Sequence, residues 1–98
     1  MLAAFELENA NSFEKVAYAL WKVTSVQAGL AGLFCFRRDP DGIGGFVARL
    51  GEEVMQHVPN PAGELLVVAG TRAAAETFPD GYFRPFRWQP DARRFARC

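Results

Sequence analysis

The run Leu65-Leu66-Val67-Val68 constrains the fold more than any other part of the chain. It is short, and punctuated by Pro59-Asn60-Pro61 before it and Gly70 after it, so it reads as a strand over 64–69. A strand that is apolar at consecutive positions has no side suited to water. It belongs in the middle of a sheet that other elements cover. The rest of the chain must supply those neighbours.

The neighbours are legible as alternating periods. Residues 2–8 alternate imperfectly and read as a first strand, and Leu33 to Arg38 reads as a buried second one. Between them, Phe13, Val16, Ala17, Leu20 and Thr24 recur at helical spacing, which predicts a helix over 12–26 with Lys15 and Lys22 on its far side. Asn11 and Glu14 form a capping-box pattern at its start. A second helix is expected from about Gly45 to His57, with Phe46, Val47, Leu50, Val54 and His57 on its inner face and an Arg49–Glu53 pair on its outer one. Asp39-Pro40-Asp41-Gly42 and Pro79-Asp80-Gly81 read as turns. Gly70-Thr71 reads as the cap of a short helix ending at Phe78. Residues 82–88 read as a strand, and Pro85, which has no N–H to donate, places it at a sheet edge. Pro90 opens a terminal helical turn bearing Arg93, Arg94 and Arg97.

Together these predict one α/β or α+β domain spanning 1–98: a small mixed sheet of about four strands with helices packed on it. Residues 81–98 form its basic, aromatic edge strand and helical tail. A chain of 98 residues has room for one core and no interdomain cleft.

Charge is balanced overall, with eleven basic and eleven acidic residues, but not along the chain. Residues 1–80 hold six bases and ten acids, a balance of −4, and residues 81–98 hold five arginines and one acid, a balance of +4. The zero sum disfavours polybasic binding of nucleic acid. The longest uncharged stretch, Val23 to Phe36, is too short and too interrupted to cross a membrane. Two cysteines, Cys35 and Cys98, with no C-x-x-C pair, exclude a disulfide scaffold and thioredoxin-type chemistry and point to a reducing, cytoplasmic setting.

Four groups of residues carry possible chemistry. Gly42-Ile43-Gly44-Gly45 follows a strand and precedes a helix, where backbone N–H groups can cradle a phosphate with Arg37 and Arg38 beside them. Its spacing matches neither dinucleotide-binding nor P-loop patterns, so a flexible turn explains the same residues. Asp39 and Asp41 begin like a Ca²⁺ loop, but Ile43 and Leu50 occupy positions that need oxygen ligands; no metal and no cofactor are expected. His57, the sole histidine, could join Glu53 and Cys35 in acid–base or nucleophilic chemistry, or simply pack at a helix end.

The fourth group is Tyr82, Arg84, Phe86, Arg87 and Trp88, followed by Arg93 and Arg94. Arginine interleaved with aromatics is characteristic of protein interfaces, with Arg84 or Arg87 and Trp88 the expected centre of contact. The leading expectation is therefore a small binding protein without catalytic activity, which self-associates or takes an acidic partner. The alternatives are a domain binding a phosphate-bearing small molecule through Gly42–Gly45 and His57, and an inhibitor or accessory of a nucleic-acid-handling complex.

Overall fold

The computed structural model describes residues 3–9, 12–26, 28–37, 42–58, 63–71 and 82–98. Strand β1 (Ala3–Glu8) leads to helix α1 (Phe13–Thr24), strand β2 (Leu30–Arg37) and helix α2 (Ile43–Glu53), which ends in a 3-10 turn at Met55–His57. Strands β3 (Glu64–Thr71), β4 (Phe83–Gln89) and β5 (Arg94–Arg97) follow. The result is a small α+β domain with one five-stranded mixed sheet, whose spatial order β1-β2-β3-β4-β5 repeats the chain order. β1, β2 and β3 run parallel, and β4 and β5 are antiparallel additions.

The helices form for the expected reason and end for local ones. α1 buries Val16, Ala19, Leu20 and Val23 along one stripe. Its N-cap is Ser12, whose side chain makes no capping bond, and Asn11 of the expected capping box lies outside the described residues. Its last turn closes where the Thr24 and Ser25 hydroxyls both donate to the Trp21 carbonyl, at 2.8 and 2.9 Å. α2 starts earlier than expected, at Ile43, so Gly44 and Gly45 lie in its first turn rather than in a loop. It buries Ile43, Phe46, Val47 and Leu50.

Three expectations need correction. Gly70 and Thr71 do not cap a helix: they continue β3, paired with Phe36 and Arg37. The helix expected to follow them lies outside the described residues. β4 is not an edge strand, because residues 94–97 form β5 instead of a helical tail and pair with 86–89. The Pro85 carbonyl points away from β3 and accepts from the Cys98 N–H at 3.1 Å. The N–H that Pro85 lacks would point the same way, so the proline removes no bond from the ladder to β3. The turn into β5 places Arg93 at φ 55, the left-handed region.

Progression from β1 to β2 to β3 through right-handed crossovers puts both helices on the same side. The core agrees: one buried cluster joins α1 and α2 to Leu33 and Cys35 of β2, Leu65 and Val67 of β3, and Phe86 and Trp88 of β4. These alternate positions share the helix-facing side of the sheet. Their in-between neighbours, Phe34, Leu66 and Val68, belong to the other side and are only half-buried. Among the described residues no element covers that side. No helix among them is long and apolar enough to cross a membrane.

Candidate functional site

Two parts of the molecule stand out chemically, the open sheet face and the carboxyl end of the parallel strands. The open face can be laid out from the strand registers. β1 contributes Phe5 and Leu7, β2 Leu30, Phe34 and Phe36, β3 Leu66 and Val68, and β4 Pro85 and Phe83. Phe5 is 54% exposed, Leu7 59% and Phe83 46%. Gly32 and Gly70 lie within this face, and aromatic rings rest on both. A Cβ on Gly32 would stand 2.7 Å from the Phe5 ring, and one on Gly70 would stand 2.7 Å from Phe36. Glycine is needed at both positions so that the rings can lie flat on the backbone. Among the described residues, charge enters at the Glu64 corner, where Arg87 donates through Nη2 and Nε to the two carboxylate oxygens of Glu64, at 2.7 and 2.6 Å, and at Arg94, opposite Gln89 on the outer strand.

The side chains of β1 are arranged the opposite way round from an ordinary edge strand. Glu6 and Glu8 lie opposite Leu33 and Cys35 on the helix side, while Phe5 and Leu7 face away from the helices. Glu6 is accommodated there by Lys22 of α1 at 2.7 Å, and this hydrogen-bonded partner raises the Lys22 pKa above its ordinary value. A one-residue slip would turn Phe5 and Leu7 inward, so the registry favours apolar side chains on the uncovered face. The alternation of residues 2–8 was the visible signal. It does not say which phase faces the helices.

At the carboxyl end of β1–β3, the helix-facing side turns polar. Beyond Cys35 and Ala69, the register sets Arg37 directly beside Thr71, and Arg84 beside Ala69. Arg37 reaches the first turn of α2, its guanidinium 4.0 Å from the centre of the Phe46 ring. That ring meets Phe13 edge-on at 5.6 Å, and Phe13 in turn carries Arg49 at 3.8 Å. Thr71 is 0% exposed, and its hydroxyl has no hydrogen-bond partner among the described residues. Arg38 lies outside the described residues, as do Asp39 and Asp41.

His57 does not join this end. It sits past the opposite end of α2, roughly 16 Å away along an eleven-residue helix. Its ring is exposed rather than packed on the apolar stripe, and its Nε2 lies 3.3 Å from Gln56 Nε2. Glu53 pairs with Arg49 instead. Cys35 is fully buried, and burial pushes its thiol up to about 11, against a weaker opposing pull from Arg37. Such a thiol is a poor nucleophile near neutral pH. Among the described residues no group of His, Cys, Asp or Glu side chains could hold a metal ion.

The C-terminal residues divide into core and surface. Trp88 is 4% exposed and meets Phe95 edge-on at 5.0 Å, and Phe86 is buried beside it, so neither is available as a centre of contact. Tyr82 and Arg84 are half-buried, and Tyr82 packs edge-on against Phe83 at 4.8 Å. Arg87 is held by Glu64 of β3. Arg93 donates to the Met55 carbonyl at 2.9 Å, at the end of α2, and lies 5.5 Å from the Trp88 ring. Two of these arginines are thus engaged within the chain, Arg87 by a carboxylate and Arg93 by a main-chain carbonyl. Arg94 and Arg97 are exposed, with no side-chain hydrogen bond or ion pair among the described residues. Arg93, Arg94 and Phe95 form one wall of a shallow groove of about 350 Å³ against Ala48, Gly51 and Glu52 of α2.

No protein-family model matches the chain, and neither a characterised protein nor a solved structure matches it significantly.

Proposed function

We propose that this chain is an interaction protein that self-associates by packing the open face of its sheet against the same face of a second copy. The observation that carries this reading is the inverted β1, which presents Phe5 and Leu7 away from the helices while acidic residues face inward. Exposed apolar surface of this extent marks contact sites more often than bare surface.

A second copy fits for reasons of charge and size. Among the described residues the centre of the face is uncharged, and Glu64 at its corner is already paired with Arg87. The chain has formal net charge +0, so two copies do not repel. With strands about 4.8 Å apart and about 3.3 Å per residue, a field of about four strands by seven residues offers about 440 Å² of flat area. Two such faces approach the ~1,000 Å² of a modest specific interface. An acidic partner is the weaker reading, and what favours it is the unpaired state of Arg94 and Arg97.

Sedimentation across micromolar to millimolar concentration tests the proposal, using the whole chain and its Leu7→Glu variant, with folding followed by circular dichroism. The expected result is a dimer that Leu7→Glu weakens by about 30-fold or more. A monomer throughout, or a dimer indifferent to Leu7→Glu but lost on Arg94→Glu with Arg97→Glu, overturns it.

A further inference from the structure

Two glycines interrupt the apolar rows of the open face. Gly32 of β2 stands between Phe5 and Leu66, and Gly70 of β3 between Phe36 and Phe83. Glycine weakens the interior of a strand. Where a strand keeps one, it serves a left-handed backbone, a bulge or the close approach of another group. Neither glycine has a left-handed φ. The pairing of β2 with its neighbours runs residue for residue past both, without a bulge. Close approach remains, and the approaching groups are the chain's own rings.

A Cβ on Gly32 would stand 2.7 and 2.9 Å from two atoms of the Phe5 ring, and one on Gly70 2.7 and 2.8 Å from two atoms of Phe36. Side chains in strands otherwise stand roughly perpendicular to their sheet. Here each ring turns onto the neighbouring strand, into the space a Cβ would fill. Both glycines are buried as a result, although no element covers this side among the described residues. The rings themselves are not hidden by lying down, since Phe5 remains 54% exposed. Between the two glycine rows run Leu7, Phe34, Val68 and Pro85.

We propose, on the basis of the face-to-face reading above, that Gly32 and Gly70 fit this face to a second copy of itself. By letting Phe5 and Phe36 lie down, they give each copy a flat apolar surface, although they weaken the strands of the single chain. Sheets packed face to face sit about 10 Å apart, too close for upright rings that meet head-on. In a two-fold pair the same face meets itself, so upright rings would oppose upright rings. A helix, in contrast, docks into a groove, which flattening removes. Phe5 lies on the outermost strand, so a Cβ added at Gly32 displaces its ring outward and leaves the backbone in place.

The test is sedimentation from micromolar to millimolar concentration, using the whole chain and its Gly32→Ala, Phe5→Ala and doubly substituted variants. Folding is followed by circular dichroism and urea midpoints. Gly32→Ala is expected to fold with a midpoint close to that of the unsubstituted chain, yet to weaken the dimer about tenfold or more. Removing the ring removes the obstacle, so in the Phe5→Ala background Gly32→Ala should weaken the dimer by no more than about twofold further. A dimer broken by Leu7→Glu but indifferent to Gly32→Ala overturns the role of the glycines and leaves the face-to-face reading standing. A chain monomeric throughout overturns both. Equal weakening by Gly32→Ala with and without the Phe5 ring also overturns the role of the glycines, since the ring would not be the obstacle. If Gly32→Ala does not fold, Gly70→Ala, which raises Phe36, is judged in the same way. Failure of both to fold assigns the glycines to the monomer and overturns the proposal.

Discussion

Leu33 and Phe34 are consecutive residues of one strand in opposite circumstances. Leu33 is sealed between β1, β3 and the helices, whereas Phe34 lies on the open face with the tilted Phe5 ring 6.0 Å away. The same division runs through β3, where Val67 is sealed and Val68 is half-buried, and through β4, with Trp88 on one side and Phe83 on the other. What differs is the cover, not the hydrophobicity. An apolar side chain stabilises the monomer only as far as its surroundings remove it from water. Among the described residues, the open face therefore carries apolar surface whose stabilising potential is partly unused.

The two sides should respond differently to perturbation. The sharpest contrast is chemical: at pH 8 a thiol reagent should label Cys98 in the folded protein, while Cys35, buried with its thiol near about 11, reacts only after unfolding. Fast native labelling of both would mean that the helix layer opens readily. In urea unfolding, Trp88→Ala should destabilise by about 3–5 kcal/mol, while Phe83→Ala should stay within about 1 kcal/mol. Leu33→Ala should cost about 2–5 kcal/mol, and Phe34→Ala about 1 kcal/mol in monomeric protein. Equal losses for Leu33 and Phe34 would show that something covers the open face within one chain. Smallest of all, Glu64→Gln should change stability by about 0.2–1 kcal/mol, an effect that shrinks with added salt because both partners are exposed.

Both helices and four strands were legible because their periods differ: Val16, Leu20 and Val23 recur at helical spacing, and Leu65 to Val68 run without a break. β5 was not legible. Arg94-Phe95-Ala96-Arg97 has no strand pattern of its own, and becomes a strand through pairing with Phe86–Gln89 and through the contact of Phe95 with Trp88. The same added strand moved β4 away from the edge that Pro85 suggested.

For the candidate sites, composition was visible and partnership was not. The arginines of 81–98 stood out, but nothing in the sequence couples Arg87 to Glu64, or Arg93 to the end of α2. The pairing of Arg37 with Thr71 was hidden because it depends on a register between two strands. The phase of β1 was hidden too, since alternation fixes which residues share a face and leaves open which face is covered.

A sheet whose spatial order repeats its chain order has a direction of growth. Every strand pairs with the one made just before it, and no strand must wait for a distant one to arrive. In chain order, β1 through β3 and the two described helices precede β4. The core between sheet and helices is completed by Phe86 and Trp88, which the hairpin of β4 and β5 contributes. Because each strand pairs with its chain neighbour, the hairpin can leave without unpairing the parallel strands, and Arg93 fastens it to the end of α2 through the Met55 carbonyl.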